Sequence, residues 1–401
     1  MHILRFLLVT TTLALFGCPT PVPGDTAQQP PSPDVLVDDA GRIVDAGDVD
    51  DDAGATPDDA GATPTDAGPT LTDAGSTPTD AGTGGTLAER HPGDVGLASH
   101  PSVLFFDDFE NGWGRWDAPQ ADTAHLFVED DASRAASGDA YLRSTVTRQQ
   151  LQETQYISSQ TSVRHARVDE AYYRFYARFE TVAPNPHHWV RFAAGDETYN
   201  SSGLANTVPP GDRGFWFDFD VNTNNLFNFY VYWHAMRSGR CNDGSTVEGC
   251  DGDQGNTYHY GNVFRPADQQ PFERGAWFCI EIRAKANTVG DDDGALEYWI
   301  DDVPVGAYGP GYPVGTWLRD QFHEGGCDFF ACDDPTPFSG FNFRTSDDVK
   351  LQRLVLDAYY ERGSSENRRT QMENNGLVVD DAYTIFYDDV VVATERIGCR
   401  R

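Results

Sequence analysis

The sequence predicts an all-β domain, a β-sandwich of the jelly-roll kind, carried behind a long low-complexity segment. Three observations lead there. From Pro101 onward the chain is rich in Trp, Tyr, Phe and Val, in short alternating runs with Gly, Asp and Asn between them. That is the pattern of half-buried strands joined by turns. No long amphipathic helix interrupts them, and only 149–155 has the makings of a short one. Six cysteines follow residue 18, an even number that suits an exported, disulfide-stapled chain. Many short strands with few helical periods form a sandwich or jelly roll.

The chain opens with MHILRFLLVTTTLALFGC. Arg5 gives a short positive region, and Phe6 to Phe16 is an apolar run of signal-peptide length, too short for an ordinary membrane span. The run closes on Leu15-Phe16-Gly17-Cys18, which resembles the lipobox of bacterial lipoproteins. The expectation is a signal peptide over 1–17 and a lipidated Cys18. The mature chain would then be anchored at the outer membrane or cell surface of a bacterium without spanning it. A plain secretory signal with an incidental cysteine is the rival.

Residues 18–94 read as a disordered linker. Asp-Ala-Gly recurs every seven residues from Asp45 to Asp80. The repeat has no apolar seam and is broken by Gly and Pro, so it is no coiled coil. It cannot bury enough surface to offset chain entropy, and its charge extends it. Asp-Ala-Gly lacks the ligand density of a calcium loop.

The folded domain is expected over 95–401. Its candidate strands are 103–106, 141–145, 171–179, 189–192, 215–221, 227–234, 277–284, 296–300, 338–343, 351–360 and 385–393. Proximity pairs Cys241 with Cys250 and Cys327 with Cys332, each closing a loop rich in Gly and Asp. That leaves Cys279 for Cys399, stapling the chain end to a core strand. Zinc is the rival use of these thiols, but no Cys-x-x-Cys or nearby His cluster supports it. The whole chain has 29 Lys+Arg against 63 Asp+Glu, a formal charge of -34. Such a surplus argues against nucleic acid and against an electrostatic membrane patch. Residues 1–94 hold 16 of the acidic and 3 of the basic residues, so the folded part stays strongly negative. A monomer is expected.

The centre of the domain is FWFDFDVNTNNLFNFYVYWHAM, Phe215 to Met236. It reads as two aromatic strands joined by Asn222-Thr223-Asn224-Asn225, a hairpin signal. Alternation puts Phe229, Val231 and Trp233 on one face, and Tyr230, Tyr232 and His234 on the other. The first set packs a core. The second is expected to floor a carbohydrate groove, with ordinary strand packing of the tyrosines as the alternative. A four-residue turn sets Phe215 and Phe217 opposite Tyr232 and Tyr230; a slip by one sets Trp216 and Asp218 there. The insertion Arg237 to Tyr260, with His259 and Tyr260, is too long for a simple turn and is expected to form a groove wall. At the domain ends, Asp107-Asp108-Phe109-Glu110 and Asp388-Asp389 would meet if the first and last strands pair. Asp108, Glu110 and Asp389 are then candidate ligands for a structural Ca2+, and solvated turn residues are the bland reading.

The segment WFCIEIRAKANTVGDDDGALEYWIDDVPVGAY, Trp277 to Tyr308, resembles a recurrent hairpin of concanavalin-like sandwiches. Tyr387-Asp388-Asp389-Val390-Val391-Val392-Ala393 resembles their last strand. Residues 101–398 are similar in pattern to the jelly-roll polysaccharide lyases, the families fourteen and twenty that include alginate and glucuronan lyases. In family fourteen a Tyr-x-Tyr pair on a groove strand is central to catalysis, and Tyr230-Val231-Tyr232 matches it. The resemblance implies one tyrosine as base and acid, with the other assisting. The family's earlier-strand Lys has no counterpart here; His187, His188 and Arg191 in PHHWVRF stand nearest. His188 and Arg191 are the choices for carboxylate neutralisation and proton transfer. His187, His234, Trp216 and Tyr260 are substrate-binding candidates. Neither hairpin register supplies the Arg that the family carries opposite its tyrosines.

β-Elimination requires neutralising the uronate carboxylate, removing the C5 proton and protonating the leaving oxygen, with no cofactor. The expected function is therefore an exported lyase on a uronate-containing polysaccharide. A non-catalytic, lectin-like carbohydrate-binding protein is the alternative, and a structural adhesin a third. Hydrolases on this sandwich use Glu-x-Asp-x-x-Glu, a string that does not occur; Asp218 and Asp220 share a face but lack a partner Glu. No Gly-x-Ser-x-Gly elbow, phosphate loop or dinucleotide fingerprint is found.

Overall fold

A computed structural model describes residues 85–401 apart from 115, 117–123, 197–204, 251–255 and 328–331, with the backbone of two short upstream strands. Those strands, Val35–Val37 (β1) and Ile43–Asp45 (β2), pair antiparallel. The expected signal peptide, Cys18 and most of the expected linker lie outside the described residues.

Two sheets stack face to face. The front sheet runs, in spatial order, Thr336–Pro337 (β17), Val314–Leu318 (β15), Gln321–Glu324 (β16), Asn262–Arg265 (β11), Phe227–Tyr232 (β10), Gly214–Val221 (β9), Val190–Gly195 (β8), Lys350–Glu361 (β18) and Tyr156–Val168 (β6). The back sheet runs Val303–Tyr308 (β14), Ala295–Ile300 (β13), Phe278–Lys285 (β12), Glu170–Phe179 (β7), Ala382–Ala393 (β19), Ala140–Thr147 (β5) and Leu126–Asp130 (β4), with Val103–Asp107 (β3) also on β19. Among the described pairings, β11 with β16 is parallel and the rest are antiparallel. This is the predicted jelly-roll sandwich.

Period-two alternation builds the core. Phe215, Phe217, Phe219 and Phe229 of the front sheet are at most 1% exposed and meet Tyr173, Phe175 and Tyr298 of the back sheet in one cluster. Phe219 and Tyr298 pack edge to face at 4.8 Å. Buried aromatics with a polar end need a partner. Trp189 Nε1–H donates to Tyr387 Oη at 2.7 Å, and that hydroxyl donates to the Asp357 carbonyl at 3.2 Å. The chain of bonds crosses the sandwich and pins β18 to β19.

The outer face of the back sheet is covered by both ends of the described domain. A capped turn of helix, Leu87–Arg90 (α1), follows Thr86. Leu87 and Leu97 pack with Val391, Ala393 and Ile397, so the fold begins some ten residues before the composition change near residue 95. Fully buried Arg174 forms a bidentate pair with Asp94 at 3.1 and 2.5 Å. Buried Glu281 accepts the amides of Ile397 and Gly398 at 2.6 and 3.0 Å. The three disulfides join Cys241–Cys250, Cys279–Cys399 and Cys327–Cys332, as expected.

Several elements differ from expectation. Residues 338–343 form no strand, apart from an isolated bridge at Phe341; Phe338, Phe341 and Phe343 fill the core from irregular backbone. The short helix forms as Arg148–Glu153 (α2), and a longer one, Arg362–Asn374 (α3), follows β18. The hairpin takes the alternative register, with Tyr230 opposite Asp218 and Tyr232 opposite Trp216. Its loop includes Leu226, because Asn222 Oδ1 accepts the amides of Asn224 and Leu226 at 2.9 and 3.0 Å and Asn225 adopts a positive φ. One added loop residue shifts the pairing by one.

Candidate functional site

The outer face of the front sheet gathers most of the candidate site residues. Alternation on β9 and β10 turns Trp216, Asp218, Asp220, Tyr230 and Tyr232 away from the core, and β8 adds Arg191 opposite Asp218. His188 precedes β8 and is held by a bridge to Tyr359: the Tyr359 amide donates to the His188 carbonyl at 2.9 Å. The His187 amide donates to the Tyr359 carbonyl at 2.7 Å. Arg368, on α3, donates to the carbonyls of Asn185 and Pro186 at 3.1 and 3.0 Å, so a helix also fixes this loop.

His188, Arg191 and Tyr230 converge as expected. The His188 and Tyr230 rings lie 4.8 Å apart. His188 Nδ1 is 3.0 Å from Asp220 Oδ2, and Asp220 Oδ1 accepts the Trp189 amide at 2.7 Å. With its proton on Nδ1, the imidazole donates to Asp220 and keeps Nε2 as acceptor. Arg191 grips Asp218 through Nε and Nη2 at 2.8 and 3.2 Å. Its guanidinium lies 4.5 Å over Trp216, whose other stacking partner is Tyr232 at 4.2 Å. Trp216 and Tyr232 are 5% and 3% exposed. They support the surface from below, whereas Tyr230 is partly exposed on it. Burial raises the Tyr232 hydroxyl far above its ordinary range, against a hydrogen bond with Tyr230 that lowers it.

Gly261 fixes Tyr230 from the far side. A Cβ there would fall 2.4 Å from the Tyr230 ring, and its φ of 103° is one that glycine favours. Tyr260, just before it, accepts a hydrogen bond from Asn256 at 3.3 Å and influences Tyr232 electrostatically. The 237–260 insertion therefore abuts the tyrosine pair. His259 turns to Thr257 Oγ1 at 3.0 Å. His234 does not extend the tyrosine row, because β10 ends at Tyr232 and the chain turns. Its Nε2 lies 3.2 Å from Asn342 Oδ1. The His187 ring packs at 4.4 Å on His188 and 5.9 Å from Tyr359.

Beneath the surface lie more carboxyls than sequence reading singled out. Asp357, on β18, is 3% exposed and accepts Ser158 Oγ–H at 2.8 Å. Burial pushes Asp357 up to about 7, Asp220 up to about 7 and Asp218 up to about 6. Arg191 opposes this rise at all three, joined at Asp220 by His187 and Arg368. Ligand atoms of His188, Asp218 and Asp220 lie within 4.8 Å of one another, a set that could face a cation. Both Asp218 oxygens already accept from Arg191 and both Asp220 oxygens are engaged. The arrangement fits a proton relay better than a metal cradle. Asp357 escaped sequence reading because LDAYYE carries no motif, although its alternation with Tyr359 was a usable signal.

The acidic clusters at the domain ends do meet, since β3 pairs β19 with Asp107 opposite Val390. Glu110 Oε1 accepts the amides of Asp139 and Ala140 at 2.7 and 2.9 Å. Asp108 Oδ1 lies 3.4 Å from the Glu110 amide. Asp389 accepts from Ser137 Oγ at 2.9 Å and from Arg400 at 3.4 Å. Burial, with the neighbouring Asp389 charge, pushes Asp388 up to about 8.

No family model matches the chain, and no curated protein matches it. Among solved structures, the chain is similar to an endo-β-1,4-glucuronan lyase from the fungus Trichoderma reesei at 15% identity, covering 73% of this chain and 95% of that one, TM-score 0.38. It is similar to an alginate lyase from a Chlorella virus at 11% identity, covering 73% and 99%, TM-score 0.41. It is also similar to a family-fourteen alginate lyase from Aplysia kurodai at 12% identity, covering 67% and 87%, TM-score 0.40. At such identities the likeness carries no residue roles.

Proposed function

We propose that this chain is an exported polysaccharide lyase that cleaves a uronate-containing glycan by β-elimination. The observation that carries the reading is the Asp220–His188–Tyr230 arrangement on an outer sheet face. Asp220 holds the His188 ring so that its second nitrogen takes the Tyr230 hydroxyl proton. Tyr230, then a phenolate, takes the C5 proton and gives it to the leaving glycosidic oxygen as the C4–O bond breaks and the C4–C5 double bond forms; the phenolate is left as it began. Arg191 has Nε and Nη2 committed to Asp218, so Nη1 meets the substrate carboxylate. No cofactor takes part. The geometry does not favour the Ca2+ expected at Asp108, Glu110 and Asp389: among the described residues their oxygens do not gather as those of His188, Asp218 and Asp220 do, and Asp389 is already paired with Arg400. Lipidation at Cys18 holds the protein at the outer membrane or cell surface.

The surplus of carboxyls beneath Tyr230 favours a second reading, non-catalytic binding of a glycan, since buried acids oppose a second negative charge nearby. One experiment separates the two. The protein is incubated with a panel of polyuronates, and ultraviolet absorbance of unsaturated products is followed. Turnover by the wild type and its loss by about 10²–10⁴ in Tyr230→Phe, with unchanged thermal unfolding, supports the lyase. Full turnover in Tyr230→Phe removes the assignment. Binding without turnover supports the second reading.

A further inference from the structure

The parallel pair β11/β16 ends in a pocket of about 150 Å³, whose lining includes Val263, Arg265, Pro266, Gln321 and His323. Register ties it to the site. Tyr230 is opposite Val263 and Val263 opposite Gln321, while Arg265 is opposite His323. Alternation therefore puts Arg265, Gln321 and His323 on the sheet face that carries Tyr230. At roughly 4.8 Å per strand and 3.3 Å per residue, Arg265 and His323 sit about 8–12 Å from Tyr230, backbone to backbone.

Size and lining both point to one class of ligand. A cavity of this volume accepts a six-membered ring. Val263 and Pro266 give an apolar edge for the C–H face of a sugar, while Phe322, 3% exposed and paired with Phe264, turns to the core. Arg265, Gln321 and His323 give planar polar groups of the kind that bracket neighbouring hydroxyls. Glu324, at the end of β16, accepts the Ala267 amide through Oε2 at 3.1 Å.

We infer that this pocket is a distal subsite for one pyranose ring of the glycan whose reacting bond lies at Tyr230. It fixes the direction and the minimum length of the bound chain. The inference rests on the outer face being a glycan site.

Calorimetric titration of the full chain with two defined series, oligoglucuronates and cello-oligosaccharides of increasing length, tests it. Affinity is expected to step up by about tenfold, about 1.4 kcal/mol, once the oligomer is long enough to reach the pocket. Arg265→Ala and Gln321→Ala should each erase that step while leaving the affinity of shorter oligomers unchanged. A step in one series only still supports the subsite, and tells whether the ring there is a uronate or a neutral sugar. Binding with no step, or a step that survives both substitutions, overturns the subsite and leaves the proposed function standing. Failure of the wild type to bind any member overturns both.

Discussion

Replacing Asp357 with Asn is expected to stabilise the domain at neutral and alkaline pH, although it alters a buried residue in the middle of a long strand. The side chain is 3% exposed, and burial pushes its carboxyl up to about 7 from 3.8. In the unfolded chain the proton leaves near the lower value; in the fold it stays until near the upper one. Between them the fold binds more protons than the unfolded chain, so stability falls as pH rises through the window and levels off above it. At about 1.4 kcal/mol per pH unit, a single such carboxyl costs the fold about 4 kcal/mol. Asp218 and Arg191 share the site, and coupled groups divide that cost, so about 2–4 kcal/mol is the expected gain. Asn keeps an oxygen for Ser158 and carries no charge. The assay is urea unfolding of both proteins, disulfides intact, at about pH 4 and about pH 8. Near pH 4 the two should be close; near pH 8 the variant should lead. A variant no more stable than the wild type at the higher pH would refute the carboxyl surplus beneath Tyr230.

Other outcomes follow from single contacts. Gly261→Ala places a methyl against the Tyr230 ring at a φ of 103°; it should cost about 1–3 kcal/mol in thermal unfolding and lower turnover more than Tyr232→Phe does. Arg174→Met leaves Asp94 buried and unpaired, so a loss of about 3–5 kcal/mol is expected, while replacing Arg174 and Asp94 together by apolar residues should recover most of it; denaturant midpoints of the three variants check this.

The strands that sequence reading found are those whose inward face is apolar, such as FWFDFDV on β9. It missed β6, thirteen residues long, because its inward positions include Ser159 and Thr161, both 1% exposed. Ser159 Oγ meets Ser144 Oγ of the opposite sheet at 2.8 Å, a polar contact that leaves no hydrophobic period. Helix α3 stayed hidden for a related reason: its buried residues are Ser365 and Arg369, and Arg369 is useful there because it donates to the carbonyls of Val379 and Asp380 at 2.8 and 2.9 Å. Of the candidate site, the placement of Tyr230 and Arg191 on one sheet face was legible from alternation, and His188 lies beside them. Asp220 was visible on the right face, but its bond to His188 depends on a bridge between distant segments, His188 and Tyr359. The pocket could not be read at all, since pairing β11 with β16 joins residues nearly sixty positions apart.

Both ends of the folded domain lie against the back sheet, while Tyr230 looks out from the front. The chain therefore enters the described body at Thr86 on the reverse side from Tyr230. There the Arg174–Asp94 clasp and the Cys279–Cys399 rivet hold both ends of the described chain, on the opposite flank from His188, so strain on either end is taken up away from the tyrosine pair.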